Sequence, residues 1–172
     1  MAKNIVYLLK RRKNKLRIIL EGCDGVGKTT LARILANKYD LDICHCTQND
    51  VPVYPFYYGT LLKNDVVWDR HSLGELIYPE IFKRPQMLNE FEFNDLHEHM
   101  EILKVKIVVL TCDSKVLKQR LLNRGNEHVN IVDNVERINN NFCEYAKKFN
   151  IPIIDTTQMT LSEIFKLFEG EN

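Results

Sequence analysis

The sequence predicts an α/β fold: a parallel five-stranded sheet with helices on both faces. Short apolar segments alternate with longer segments in which apolar residues recur at helical spacing, which is typical of βαβ units. A glycine-rich turn joins the first predicted strand to the first helix. The 172 residues are 45% hydrophobic and 27% charged, so we expect one globular domain and exclude a disordered chain.

The first half of the chain contains three predicted strands. Residues 16–20 form the first strand, and the apolar face of residues 28–39 predicts a helix directly after the glycine-rich turn. Residues 43–47 form a second short strand, and residues 66–68 form a third after a loop rich in proline and aromatic residues. A helix begins within residues 72–81. In this order of units the first strand should be central in the sheet, with a strand on each side.

The second half repeats the alternation. Residues 105–111 are β-branched and continuously apolar, which predicts a strand buried on both faces. The other predicted elements are a helix at 87–103, a helix at 114–123, a polar segment at 124–134, a helix beginning near Val135, a strand at 151–154 and a closing helix capped by Thr160.

The segment GCDGVGKT at residues 22–29 fits the phosphate-binding pattern G-x-x-x-x-G-K-[ST]. Its glycines let the backbone approach a polyphosphate, and the N-terminus of the following helix directs its amides at the anion. Lys28 adds a positive charge, the Thr29 hydroxyl is placed for Mg²⁺, and Thr30 can reach the next phosphate inward. The predicted ATP-binding residues are Gly22, Gly25, Val26, Gly27, Lys28, Thr29 and Thr30.

A second polar pair, Asp69 and Arg70, follows the strand at 66–68. The carboxyl edge of a parallel sheet is where ligands bind in open α/β folds. Asp69 can hold Mg²⁺ through water, and Arg70 can bind a second phosphate bidentately. A surface ion pair is the alternative, but the phosphate loop upstream favours a functional pair.

Two segments resemble the thymidylate kinase family of P-loop nucleoside monophosphate kinases. Residues 21–30, EGCDGVGKTT, are similar to the family's E-G-x-D-G-x-G-K-T-T loop, and residues 69–78, DRHSLGELIY, are similar to its D-R-Y motif with a later tyrosine. The resemblance implies that Asp24 contacts the 3′-hydroxyl of the acceptor, that Arg70 holds its phosphate, and that Tyr78 excludes a ribose 2′-hydroxyl. It implies transfer from ATP, with Mg²⁺, to a deoxynucleoside monophosphate such as dTMP or a related pyrimidine nucleotide.

The chain departs from that family at two places. His71 replaces the usual tyrosine, and the interval between Thr30 and Asp69 is short. That interval contains aromatic candidates for stacking on the acceptor base, although packing in the core or a loop is the commoner role for each such residue. They are Tyr54, Phe56, Tyr57 and Tyr58.

Transfer of a phosphoryl group needs further positive charge, and the loop itself contains no basic residue before Lys28. Arg120 and Arg124 resemble the lid arginines of monophosphate kinases, so we predict a lid at about residues 120–134. We treat residues 1–172 as a single kinase domain with residues 1–15 as an N-terminal extension.

Two other functions remain open. A kinase acting on a hydroxyl, of a deoxynucleoside or of a DNA 5′ end, would need a general base, for which Asp24, Asp50 and Glu75 are the candidates. Glu75 is also a candidate substrate-binding residue. A polynucleotide acceptor would suit the basic cluster at residues 10–13, 15 and 17, the one setting in which nucleic acid is an expected partner. A nucleotide-binding protein without catalysis is the third hypothesis.

The composition restricts the setting in which the protein acts. The net charge is +1, so any phosphate binding must be local. The apolar segments are too short to cross a bilayer, the N-terminal charges stand in the wrong order for a signal peptide, and the five cysteines lack the pattern of a disulfide framework. We therefore expect a cytoplasmic protein without a membrane partner. The related kinases are commonly homodimers, which the resemblance extends to this chain as an expectation.

Overall fold

A computed structural model of the chain describes residues 16–46, 53–125, 129–157, 159–160, 163–165 and 168. Within them, five parallel strands form one sheet in the order β2-β3-β1-β4-β5. The strands are β1 (Arg17–Gly22), β2 (Asp42–Cys44), β3 (Val66–Asp69), β4 (Lys106–Thr111) and β5 (Ile153–Asp155). The α/β fold and the parallel sheet predicted from the sequence are confirmed.

The helices of the described residues connect and cover these strands. They are α1 (Lys28–Tyr39), α2 (Val53–Leu61), α3 (Tyr78–Phe82), α4 (Glu90–Ile102), α5 (Ser114–Arg124), α6 (Val129–Asp133) and α7 (Val135–Lys148). A 3₁₀ turn, Leu73–Leu76, precedes α3.

Strand β1 is central, as its place in the predicted order of units required. All of its residues are buried, and it pairs with β3 on one side and β4 on the other. Leu20 lies beside Asp69, and Gly22 lies beside Leu110. A Cβ atom on Gly22 would lie 2.3 Å from the Leu110 carbonyl oxygen, so only glycine permits this pairing where the phosphate loop begins. The carboxyl ends of β1 and β3 therefore meet at one edge of the sheet.

The sequence prediction of a loop between β2 and β3 is wrong for residues 53–61, which form helix α2. Pro55 lies in the first turn of this helix, where its missing N–H would have no intrahelical partner in any case. Tyr57 and Leu61 lie one helical turn apart, and both are buried in the core. The predicted strand at 43–47 is shorter, since β2 ends at Cys44.

The predicted helix within residues 72–81 is divided into the 3₁₀ turn and α3. Pro79 lies in the first turn of α3, so it begins this helix rather than ending it. The division matters for the site, because Glu75 in the turn and Tyr78 in α3 contact different partners, Arg84 and Asp24.

The predicted N-terminal extension, residues 1–15, and Asp50 lie outside the described residues. Arg17, assigned from the sequence to the basic cluster, is buried in β1. Its guanidinium donates to the carbonyls of Lys63 at 2.8 Å and Leu103 at 2.7 Å and to Asn64 Oδ1 at 2.5 Å. Arg17 therefore holds strand ends together and is not part of a nucleic-acid surface.

Candidate active site

The phosphate loop turns between β1 and α1 through two glycines in the left-handed region, Gly25 with φ 89° and Gly27 with φ 98°. Gly27 is the N-cap of α1, so the first amides of the helix are directed out of the loop. Lys28 Nζ donates to the carbonyls of Gly22 and Cys23, both at 2.7 Å. Burial lowers the pKa of Lys28, because the charged amine is held away from water. The loop thus concentrates main-chain donors and one ammonium group at a helix N-terminus.

Thr29 and Asp69 meet where the loop faces the end of β3. The Thr29 hydroxyl donates to Asp69 Oδ2 at 2.5 Å, and Asp69 Oδ1 is buried with no hydrogen-bond partner among the described residues. A buried carboxylate oxygen without a partner fits a cation or a water bound to one. Hydroxyl and carboxylate oxygens suit Mg²⁺, which takes few protein ligands and completes its shell with phosphates and water. The pair therefore has the donor set that was predicted for Mg²⁺.

His45 adjoins this pair and was not predicted as a site residue. Its Nδ1 lies 3.5 Å from Asp69 Oδ2, and the ring is partly exposed. Its position directly after β2, at the same sheet edge as Asp69, is the signal that could have found it. Among the residues that the structure describes, no group of three or more His, Cys, Asp or Glu side chains could hold a metal.

Asp24, Arg70 and Tyr78 form a cluster at the rim of the phosphate loop, the acceptor cluster. Asp24 Oδ1 accepts from the Arg70 guanidinium, and Asp24 Oδ2 accepts from the Tyr78 hydroxyl at 3.2 Å. Gly74 contributes by its lack of a side chain, since a Cβ there would lie 3.2 Å from the Tyr78 ring. Residues far apart in sequence therefore meet as the resemblance requires, while the roles assigned to them remain predictions.

The acceptor cluster and the phosphate loop share one cleft. Its lining residues are Asp24, Gly25, Gly27, Lys28, Thr29, Thr30, Arg70 and Arg124. Arg120 lies one helical turn before Arg124 on α5, and its guanidinium donates to the Gly25 carbonyl at 3.2 Å. Val26 is buried below the loop, where its carbonyl accepts from the Thr156 hydroxyl at 3.0 Å.

The predicted substrate-binding residue Glu75 pairs with Arg84, which was not a predicted site residue. Its carboxylate accepts two hydrogen bonds from Arg84, at 2.8 and 2.9 Å, and the side chain is buried. Of the aromatic candidates, Tyr57 is packed in the core against the His71 ring, which leaves no exposed face for stacking on a base. Tyr54 contacts Asp95, and Tyr58 packs edge-on against His99.

Two buried polar residues beside the acceptor cluster, Glu21 and His71, were not predicted as site residues. Desolvation raises the pKa of Glu21 to about 7, against the opposing effect of two backbone N–H donors. Desolvation lowers the pKa of His71 to about 3, so its imidazole is neutral at physiological pH. Glu21 and His71 lie within the two motifs at residues 21–30 and 69–78, but the sequence did not show that their side chains are buried.

The structure bears on two further expectations. All five cysteines carry free thiols, as predicted. None of the helices in the described part of the chain has the length and apolar character needed to cross a membrane.

Comparison with known proteins identifies the fold. No known family model matches the sequence. A "Putative adenylate kinase" of Methanocaldococcus jannaschii is 25% identical over 155 residues, which cover 87% of this chain and 81% of the relative. The crystal structure of YorR from Bacillus subtilis in complex with phosphorylated GDP has a TM-score of 0.77 at 24% identity and covers 89% of this chain and 93% of YorR.

More distant structures agree with this assignment. Deoxyadenosine kinase from M. mycoides with bound dCTP has a TM-score of 0.57 at 18% identity, covering 91% of this chain and 98% of that enzyme. Shikimate kinases and the thymidylate kinase of Candida albicans are also structural neighbours. The chain therefore has the P-loop kinase fold, which these neighbours share although they act on different acceptors. The narrower resemblance to thymidylate kinases is not distinguished from the others by these comparisons.

Proposed function

We propose that this protein transfers the γ-phosphoryl group of ATP to the phosphate of a deoxynucleoside monophosphate. The observation that carries the proposal is that Arg70 lines the same cleft as Lys28 and Arg124. One ammonium group and two guanidinium groups around a single cleft match two phosphate-bearing ligands. In-line transfer requires donor and acceptor phosphates to be held together in this way.

The donor residues have roles that follow from their positions. The loop amides and Lys28 would bind the outer phosphates of ATP, with Thr29 and Asp69 holding Mg²⁺, and a bound Mg²⁺ supplies charge neutralisation on those phosphates. Arg124, and Arg120 one turn before it, would add positive charge from a lid at about residues 120–134. Both arginines belong to α5 and already lie at the phosphate loop, Arg124 in the lining of the cleft and Arg120 on the Gly25 carbonyl.

The acceptor cluster favours a phosphate over a hydroxyl as the attacking group. Both oxygens of Asp24 accept hydrogen bonds, from Arg70 and Tyr78, which makes this carboxylate a poor general base. An ionised phosphate needs no base, and Arg70 offers it a guanidinium. Tyr78 would occupy the space beside the 2′-carbon of the sugar, which favours a deoxyribose.

The resemblance to thymidylate kinases makes dTMP or a related pyrimidine nucleotide the expected acceptor. The name of the similar adenylate kinase makes a purine nucleotide a competing acceptor, and the name of the deoxyadenosine kinase makes a nucleoside hydroxyl another. The same resemblance leads us to propose a single kinase domain that assembles as a homodimer. Light scattering on the protein in solution, which measures its mass, would test the dimer.

An acceptor panel tests the proposed reaction. The protein is incubated with Mg·ATP and nucleosides, ribo- and deoxynucleoside monophosphates or 5′-hydroxyl oligonucleotides, and the phosphorylated product is identified by mass spectrometry. We expect deoxynucleoside diphosphates, with dTDP the fastest to form. A phosphorylated nucleoside or oligonucleotide would contradict a phosphate acceptor, and ATP binding without acceptor-dependent ADP release would contradict catalysis.

A further inference from the structure

Glu21 joins the strand that leads into the phosphate loop to the segment that follows Arg70. The side chain is 1% exposed at the end of β1. Its Oε1 accepts hydrogen bonds from the backbone N–H of His71 at 3.0 Å and from that of Leu73 at 2.9 Å. One carboxylate therefore fixes two amides that lie 50 and 52 residues away in the sequence.

These contacts surround a strained backbone position. Arg70 has φ 76°, a left-handed conformation that a residue with a Cβ disfavours. Such strain persists only where the surrounding structure fixes it, and it occurs often at functional sites. The Arg70 N–H donates to the Leu20 carbonyl at 3.0 Å, and Glu21 binds the amides that come directly afterwards. The main chain is thus held on both sides of Arg70 by consecutive residues of β1.

His71 fixes the same segment from the other side. The Thr60 hydroxyl donates its one hydrogen to the Tyr57 carbonyl at 2.8 Å. Its oxygen therefore accepts a hydrogen bond from the Nε2–H group of His71 at 2.9 Å. This assignment leaves His71 Nδ1 as an acceptor for the Ser72 hydroxyl at 3.0 Å. The neutral imidazole is therefore hydrogen-bonded at both nitrogens, and it ties the segment to helix α2.

We propose that Glu21 is a positioning residue for phosphoryl transfer: it fixes the backbone that places the Arg70 guanidinium at a set distance from the phosphate loop. The kinetic consequence rests on the proposed function, whereas the structural consequence does not. Because a misplacement of about 1 Å can reduce a rate about 100-fold, small shifts of this segment should be measurable. Glu21 itself contacts neither substrate in this scheme.

Glu21→Leu removes the acceptor atom at nearly constant volume, and Glu21→Gln retains an oxygen that can accept from both amides. For Glu21→Leu we expect the KM of the acceptor nucleotide to rise by about tenfold or more and kcat to fall, with the KM of ATP changed less than about twofold. Glu21→Gln should stay within about threefold of wild type in both KM values. Asn139→Leu is the control, because it removes a buried amide that links α7 to β4 away from the cleft; it should lower the melting temperature and leave both KM values unchanged.

Hydrogen exchange provides a readout that does not depend on activity. The amides of His71 and Leu73 should exchange faster in Glu21→Leu and remain protected in Glu21→Gln, with no change in the amides of α1. Equal rises of both KM values, an impairment of Glu21→Gln as large as that of Glu21→Leu, or unchanged protection in Glu21→Leu would each overturn the inference.

Two failures call for a second measurement: a variant that does not fold, and a wild-type protein that phosphorylates no acceptor. If Glu21→Leu does not fold, Glu21→Asp takes its place, since the shorter side chain cannot reach both amides; an unchanged acceptor KM in that variant would overturn the inference. If the wild-type protein phosphorylates no acceptor, the proposed function fails, while the exchange measurement still decides whether Glu21 holds the Arg70 segment.

Discussion

Lys28 in the phosphate loop and Arg70 in the acceptor cluster are held by contacts of very different range along the chain. In the phosphate loop, Lys28 contacts the carbonyls of Gly22 and Cys23, six and five residues away. In the acceptor cluster, Arg70 and Tyr78 reach Asp24 across 46 and 54 residues. The Lys28 contacts are therefore local, whereas the acceptor cluster exists only when the sheet is assembled.

This difference determines what a substitution should change. A substitution of Lys28 should affect turnover with every acceptor and leave the fold intact, because its contacts are with the backbone of its own loop. A substitution in or behind the acceptor cluster should change acceptor binding, stability or both, because its side chains also join distant segments. Four substitutions separate these two kinds of effect.

Lys28→Met should have the largest effect, and it should fall on turnover alone. Removing a donor that stabilises developing charge typically lowers kcat by about 10² to 10³. Because burial disfavours the charged amine and lowers its pKa, an apolar side chain of similar length should leave the melting temperature unchanged or higher. Steady-state kinetics and thermal melts measure the two quantities. Lys147→Met, at an exposed position of α7, is the control, and wild-type turnover in Lys28→Met would contradict the assignment.

Glu21 should make stability depend on pH. Its pKa is raised from 4.5 to about 7 in the folded protein, so the folded state binds the extra proton between these values. The resulting stabilisation is fully present below pH 4.5 and is lost as the pH rises through about 7. At about 1.4 kcal/mol per pKa unit, Glu21→Gln should gain on the order of 3 kcal/mol relative to wild type over this interval. Urea unfolding at pH 4.5 and pH 7.5 measures the change, and parallel pH profiles for the two proteins would contradict it.

Arg70→Ala should weaken acceptor binding and spare ATP binding. A charge-assisted hydrogen bond contributes about 1.5 to 3 kcal/mol, so the acceptor KM should rise roughly tenfold to a hundredfold. Arg70→Gly should lose the same contacts but relieve the strain of the left-handed backbone at φ 76°. Its free energy of unfolding should therefore be about 1 kcal/mol higher than that of Arg70→Ala. Equal stability of the two variants in urea would show that this backbone is not strained.

Gly74→Ala should have the smallest effect, a change in selectivity for the acceptor sugar. The new Cβ would lie 3.2 Å from the Tyr78 ring, so the ring should shift slightly and its hydroxyl contact with Asp24 should weaken. Loss of about 1 kcal/mol at that contact should reduce the preference for deoxyribose over ribose acceptors by about fivefold. Gly59→Ala is the matched control, because a Cβ there meets no atom within 4 Å and should stabilise α2 by about 0.5 to 1 kcal/mol. Equal selectivity in both variants would remove Tyr78 from sugar recognition.

Several elements could be predicted from the sequence because their signals are local. The helix Lys28–Tyr39 begins and ends as its apolar spacing indicated, and β4 differs from its prediction by one residue. Helix α2 was missed because its proline and aromatic residues resemble a loop when burial is unknown. The 3₁₀ turn before α3 was missed because short turns have no distinctive period.

The candidate site divides in the same way. The phosphate loop and the Asp69–Arg70 pair were visible as motifs, since chemistry and spacing lie within a few residues of one another. The roles of Glu21 and His71 were hidden, because a buried carboxylate and a buried imidazole look like ordinary polar residues until their partners are known. The contact of His45 with Asp69 was also not visible in the sequence, since the two residues lie at the ends of neighbouring strands.

The sequence by itself determined the five strands, the central place of β1 and the phosphate loop, because hydrophobic patterning and backbone turns act over short stretches of chain. Only the tertiary structure decided that Asp24, Arg70 and Tyr78 meet, that Glu75 pairs with Arg84, and that Glu21 holds the segment after Arg70. Apart from the pair of Glu75 and Arg84, which lie nine residues apart, these contacts depend on the parallel alignment of β1 with β3, which brings residues some 50 positions apart to the same sheet edge. The side chains at this edge share no local sequence pattern, so their contacts with one another depend on the packing of the sheet.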